Sequence, residues 1–199
     1  MQRYKAYHVL VLLVLVYNLH VLSKSCNDVD GNGHIELTDE TIPREAFKNC
    51  TSLKDLTLGI SVKFIEWYAF DGCSMLSFVD MGDQVELIGE RAFEGCSSLH
   101  TLRIDSSDVV IHTSTFAGVK LKALHTNMKQ VAGDKYMLDY FRSSLTSLEN
   151  VTLGASVKSL GFGAFALCTS LRNISIPAHV ESIGNFAFQD CSSLVTVHV

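Results

Sequence analysis

The chain has 199 residues, 47% of them apolar, with only two prolines and 13 glycines. That is ample material for one large packed core or two small ones, and it excludes a collagen-like or low-complexity disordered chain. A formal net charge of −5 and the absence of any basic stripe argue against nucleic acid as a partner.

The segment 1–25 has the layout of a secretion signal. Arg3 and Lys5 form a basic start, Val9 to Leu22 is an unbroken run of largely apolar side chains, and Ser23 and Ser25 precede Cys26 by three and one positions. A membrane-spanning helix needs about 20 apolar residues, whereas this run is shorter and holds Asn18 and His20. The sequence therefore predicts a leader over 1–25, a mature chain with no membrane span, and a destination outside the cell or on its surface. Cleavage removes three basic residues and no acidic one, leaving 13 basic against 21 acidic residues, a net charge of −8.

The stretch 26–41 comes next. Asp28, Asp30, Asn32, Gly33 and Ile35 fit positions 1, 3, 5, 6 and 8 of an EF-hand calcium loop, with Asp39 in place of the bidentate Glu at position 12. Such a loop needs a helix on each side, and neither flank offers one. The same residues read as a Gly-Asn-Gly turn feeding a strand, His34 to Leu37, in an N-terminal cap hairpin over the first repeat. Calcium binding at Asp28–Asp39 is the competing use.

From residue 42 to 199 the chain repeats. Phe47, Phe70, Phe93 and Phe116 recur at one constant interval, which also separates Phe165 from Phe188. Three positions after each Phe stands Cys50, Cys73, Cys96, Val119, Cys168 or Cys191. A leucine frame then opens an L-x-x-φ-x-φ stretch at Leu53, Leu76, Leu99, Leu121, Leu148, Leu171 and Leu194. The irregular unit, about 122–148, puts Phe141 and Ser144 in the Phe and Cys slots, with its extra residues within Asn127–Arg142. Seven units in one register are expected.

Within a unit, alternating apolar and polar residues after the Leu predict a half-buried strand. Gly59, Gly82, Gly154 or Pro177 then turns the chain, a second short apolar pair follows, and the Ala-Phe segment is expected to form a single helical turn. No unit can bury its apolar face alone, so the units must stack.

The segment Leu171 to Cys191, LRNISIPAHVESIGNFAFQDC, resembles the BspA-like class of leucine-rich repeat. The resemblance runs from about residue 35 to 199, with departures at Val119 and Ser144. It implies a leucine-rich-repeat solenoid: a parallel β-sheet on one face, short helical turns or loops on the other, and seven repeats, each of about 23 residues. It also implies a secreted or surface protein acting in adhesion and recognition.

The five cysteines of the frame stack within disulfide range, but equivalent side chains point in parallel. A reduced, buried ladder is therefore expected, with Cys26, outside the frame, as the one exposed and fast-reacting thiol. The long interval between frame cysteines is no zinc-ligand pattern, and the catalytic sequence signatures of hydrolases, metalloproteases and phosphate-binding loops do not occur. No catalytic residue, metal site or cofactor is assigned. Sequons stand at Asn49, Asn150 and Asn173, the last two at one frame position in adjacent units.

Residues two and four after each Leu face outward from the strand. Most are small and polar; the exceptions are Phe78, Asp80, Arg103 and His125 in units two to four. An aromatic beside an Arg has the composition of an interface anchor. These four are the candidate partner-binding residues, for a protein or glycan ligand. The last strand, Val195 to Val199, bears no polar cap, which makes self-association through that edge a second expectation. A non-catalytic binding or adhesion module is the reading these features favour; the rival is a calcium-dependent assembly protein.

Overall fold

The computed structural model describes residues 24–112, 114–131 and 141–199. The apolar run Val9–Leu22 lies outside these residues, as do positions 132–140 within the expected insertion of the fifth unit.

Each L-x-x-φ-x-φ stretch forms a short strand whose apolar residues point inward. Five of them, β3 (Asp55–Leu58), β5 (Phe78–Asp80), β7 (Thr101–Ile104), β9 (Ala123–Thr126) and β11 (Asn150–Leu153), pair in parallel as one sheet together with β1 (His34–Leu37), which precedes the first frame leucine. β13 (Asn173–Ser175) and β15 (Thr196–His198) pair separately at its C-terminal end. The second apolar pair of each unit forms two-residue strands on another side. β2 (Thr41–Ile42), β4 (Phe64–Ile65), β6 (Leu87–Ile88) and β8 (Val110–Ile111) make one ladder; β10 (Gln130–Val131), β12 (Ser159–Leu160) and β14 (Ser182–Ile183) make another. The architecture is a parallel β-solenoid. The irregular unit breaks the short ladder between β8 and β10, whereas the long sheet runs through it in register, with Leu102 facing Leu124 and Leu124 facing Val151.

The N-terminal cap differs from the expected hairpin. Among the described residues β1 has no antiparallel partner; it pairs in parallel with β3, His34 facing Asp55 and Leu37 facing Leu58. It is a strand of the same sheet, supplied by a truncated unit in which Asn32 stands at the leucine slot.

The core is built of columns. Phe47, Phe70, Phe93, Phe116 and Phe141 stack with centroids 5.0 to 5.4 Å apart. Phe165 and Phe188 stack at 5.8 Å. Phe141 and Ser144 therefore fill the fifth unit's slots as the frame predicts. Buried Ser144 donates its hydroxyl to the Val119 carbonyl (2.9 Å) and accepts the Leu121 N–H.

The Ala-Phe segments are turns and not helical turns. Every second N–H is directed to the neighbouring unit: Phe47 donates to the Ala69 carbonyl, Phe70 to Ala92 and Phe165 to Ala187. To aim those bonds outward, residues two before and two after the Phe adopt left-handed backbone, such as Tyr68 (φ 59°) and Gly72 (φ 74°) around Phe70. That geometry explains the glycines at 72 and 95 (φ 72°), where a side chain is strained. Gly184 has a different reason: a Cβ there would lie 2.6 Å from the Gly161 carbonyl carbon.

Cys26 is not the exposed thiol that its place outside the frame suggests. It is bonded to Cys50, with Cα atoms 5.7 Å apart. The parallel-side-chain constraint applies only between equivalent positions, and Cys26 belongs to no unit; a 3-10 turn at Cys26–Asp28, capped by Ser25, sets it against the end of the column. Closing the loop between the two cysteines contributes about 3 kcal/mol in the chain-entropy account. The other frame cysteines are free thiols. Cys73, Cys96 and Cys191 donate to the Phe47, Phe70 and Phe165 carbonyls at 3.0 to 3.2 Å. Burial pushes the Cys168 thiol up to about 12, and the neighbouring Cys73 thiol together with burial also raises Cys96.

Two outcomes follow. Phe93→Ala removes a fully buried ring from the middle of its stack and should cost about 3–5 kcal/mol in denaturant unfolding. Alkylation of the unreduced native chain should modify Cys191, the one half-buried free thiol among the described residues, before Cys73, Cys96 and Cys168. Cys26 should label only after reduction; its labelling beforehand would refute the cap disulfide.

Candidate functional site

The outward positions of the long sheet form two rows set by strand register. In one, Asp55 faces Phe78 and Phe78 faces Thr101. In the other, Thr57 faces Asp80, Asp80 faces Arg103, and Arg103 faces His125. The parallel frame thus brings three of the four candidate residues into one line, with Phe78 two positions from Asp80 on the same strand. Phe78 is half-buried, not the exposed aromatic the alternation suggests.

The line is tied together by Asp105, a residue outside the L-x-x-φ-x-φ stretch. Its carboxylate accepts Arg103 Nε at 2.6 Å and stands 3.0 Å from His125 Nε2. Arg103 also lies 3.9 Å from Asp80. The hydrogen bond and charge of Asp105 raise the guanidinium's pKa above its ordinary value. The side chains are 22 to 49% exposed, so each pair contributes about 0–1 kcal/mol and orients more than it stabilises. Asp105 had a signal in the sequence: it occupies the slot that Gly59, Gly82, Gly154 and Pro177 fill elsewhere.

The remaining candidates fall in other places. Asn150 and Asn173 are exposed on the same sheet side, in β11 and β13; Asn49 is exposed in a turn with φ 59°. Val195 and Val199 on either side of the last strand are 85% and 95% exposed.

The calcium loop is geometrically a turn. Asp30 accepts the N–H groups of Asn32 and His34, each at 2.8 Å, and Asp28 accepts the N–H and hydroxyl of Ser25. These bonds hold both carboxyls below the usual carboxylate range. Among the described residues no group of three or more His, Cys, Asp or Glu side chains is placed to hold a metal ion, and no helix is long and apolar enough to cross a membrane.

A BspA type leucine-rich repeat region model matches six copies in this sequence, over residues 32–139 and 135–199. The chain belongs to the BspA type leucine-rich repeat family. Among solved structures, it is similar to a leucine rich cell surface protein from Faecalibacterium prausnitzii, at 28% identity and a TM-score of 0.47, covering 81% of this chain and 42% of that one. It is also similar to a leucine-rich repeat protein from Bacteroides ovatus, at 23% identity and a TM-score of 0.48, covering 79% of this chain and 52% of that one. The chain thus spans about half the length of these structures or less. No curated protein was found to match the sequence.

The cap carboxyls give a pH dependence. Because the folded pKa of each lies below its ordinary value, the stabilisation is fully present above that ordinary value and lost as pH falls through the lowered one. Protection of the Asn32 and His34 amides, their exchange measured against the intrinsic rate at the same pH, should therefore fall on acidification into that range. Asp30→Asn should remove the dependence at these two amides; an unchanged profile would contradict the turn.

Proposed function

We propose that this chain is a non-catalytic, secreted or cell-surface binding module that receives a protein or glycan partner on the outward face of β3 to β9. The observation that carries this reading is the bonded line beside Phe78, in which Asp105 meets both Arg103 and His125, and Arg103 also meets Asp80. On a face of otherwise small polar residues, these bonds hold long side chains in one arrangement, which lowers the conformational entropy that binding must remove. Family membership supports a repeat protein that presents a surface, and the leader-like segment 1–25 supports export. A catalytic role gains nothing from the line: among the described residues Thr152 faces His125, but the His125 side chain contacts Asp105 and activates no hydroxyl or thiol. The calcium-dependent alternative is weakened because Asp28 and Asp30 already serve as backbone acceptors.

Sugars at Asn150 and Asn173 would cover the second half of the sheet and confine docking to the first. Replacing Phe78 and Arg103 together by Ala should abolish capture of partners from extracellular extracts while a cooperative melting transition is retained, since neither side chain belongs to the buried core. Undiminished capture of the same proteins by the double variant would discard the reading.

A further inference from the structure

The charges on this face are unevenly distributed. Glu36, Asp55 and Asp80 occupy outward positions of β1, β3 and β5, and Asp105 follows β7. From β11 onward the outward positions hold Asn150, Thr152, Asn173, Ser175, Thr196 and His198, with no carboxylate. Among the outward positions of β1 to β7 the one permanent cation, Arg103, is held between Asp105 and Asp80 and so is already neutralised, and the one imidazole, His34, stands at the far side of Asp55 from Phe78. Lys54 and Lys122 stand only at the strand starts, and Lys122 is 3.7 Å from Glu149. The face therefore has surplus negative charge around a half-buried aromatic. Asp55 is directly across the ladder from Phe78, about 4.8 Å away by strand spacing, and Asp80 is about 6.6 Å along the strand by strand rise.

Resting on the reading that this sheet face is the working surface, we propose that it takes a cationic partner: an extended protein segment bearing Lys or Arg side chains and one apolar side chain that packs on Phe78. Same-side residues of an extended segment recur every two positions, with the same rise as in a strand, which matches the step from Phe78 to Asp80. Unpaired cations of the partner meet Asp55 and Asp80, and the surplus charge steers their approach. An anionic partner would instead have to displace Asp105 from Arg103.

The test uses the full chain and fluorescence anisotropy with three labelled peptides of equal length, alternating Phe with Lys, Glu or Ser. The Lys peptide should bind, more weakly as salt rises, and the Glu peptide should not. Asp55→Asn with Asp80→Asn, and separately Phe78→Ala, should each weaken the Lys peptide by about tenfold or more. Glu94→Gln with Asp190→Asn, two turn-side carboxylates, should leave it unchanged. An equal loss from the turn-side pair, or tighter binding of the Glu or Ser peptide, overturns the proposal. Thr101→Trp, which fills the row beside Phe78, separates the two failures. If it abolishes binding of a Glu or Ser peptide, the face binds and only the cationic assignment is wrong. If it alters the binding of no peptide, the sheet-face reading fails as well.

Discussion

The structure depends on one constraint: no unit of this chain can bury its apolar residues or satisfy its backbone without a neighbour in register. The stacked phenylalanine rings, 5.0 to 5.8 Å apart, and the Phe-to-next-unit N–H bonds of the turns are two expressions of it. The first removes apolar area from water; the second satisfies peptide groups that a turn within one unit would leave open. Both demand the same translation from unit to unit, so a residue's position in the frame determines its surroundings almost completely. Val119 and Cys96 can share a slot because the column asks only for a small apolar volume. Ser144 can share it because its hydroxyl is satisfied there, donating to the Val119 carbonyl and accepting the Leu121 N–H, where the thiols donate to a Phe carbonyl.

That dependence explains what could be read from the residues alone. The leucine frame gave the strand positions, and the placement of Phe141 and Ser144 in a stretched unit followed from the requirement that the columns continue. Features lying outside the repeat were not legible. β1 joins the sheet although Asn32 stands at its leucine slot and its offset from β3 is shorter than the repeat. The bond between Cys26 and Cys50 joins a repeat position to a residue with none, so periodicity had nothing to say about it. The turns misled for a different reason: their i to i−3 bonds imitate a helical turn, and most of the left-handed residues that redirect the other N–H groups are not glycine.

The outward face obeys a weaker version of the same constraint. Register decides which side chains are neighbours across strands, and so Asp80, Arg103 and His125 come to lie in a line. It places no demand on their identity, because solvent accepts any polar residue there. Asp105 shows the difference. Its slot turns the chain, a task that Gly or Pro performs in four other units, and a carboxylate adds nothing to the turn. Its bonds to Arg103 and His125 run across the face instead.

The core and the face therefore answer to different pressures. A column position tolerates only what keeps the stack, whereas the face tolerates nearly everything, so an ordered network there is the more informative departure. Exposed ion pairs of this kind contribute little to stability. Their effect is to hold Arg103 and His125 in fixed orientations, while Asp55 lies across the ladder from Phe78 on one side and from His34 on the other. A surface already ordered before it meets anything loses less entropy on binding. A solenoid supplies that order at low cost, since the rigidity of the sheet comes from columns that never touch the ligand.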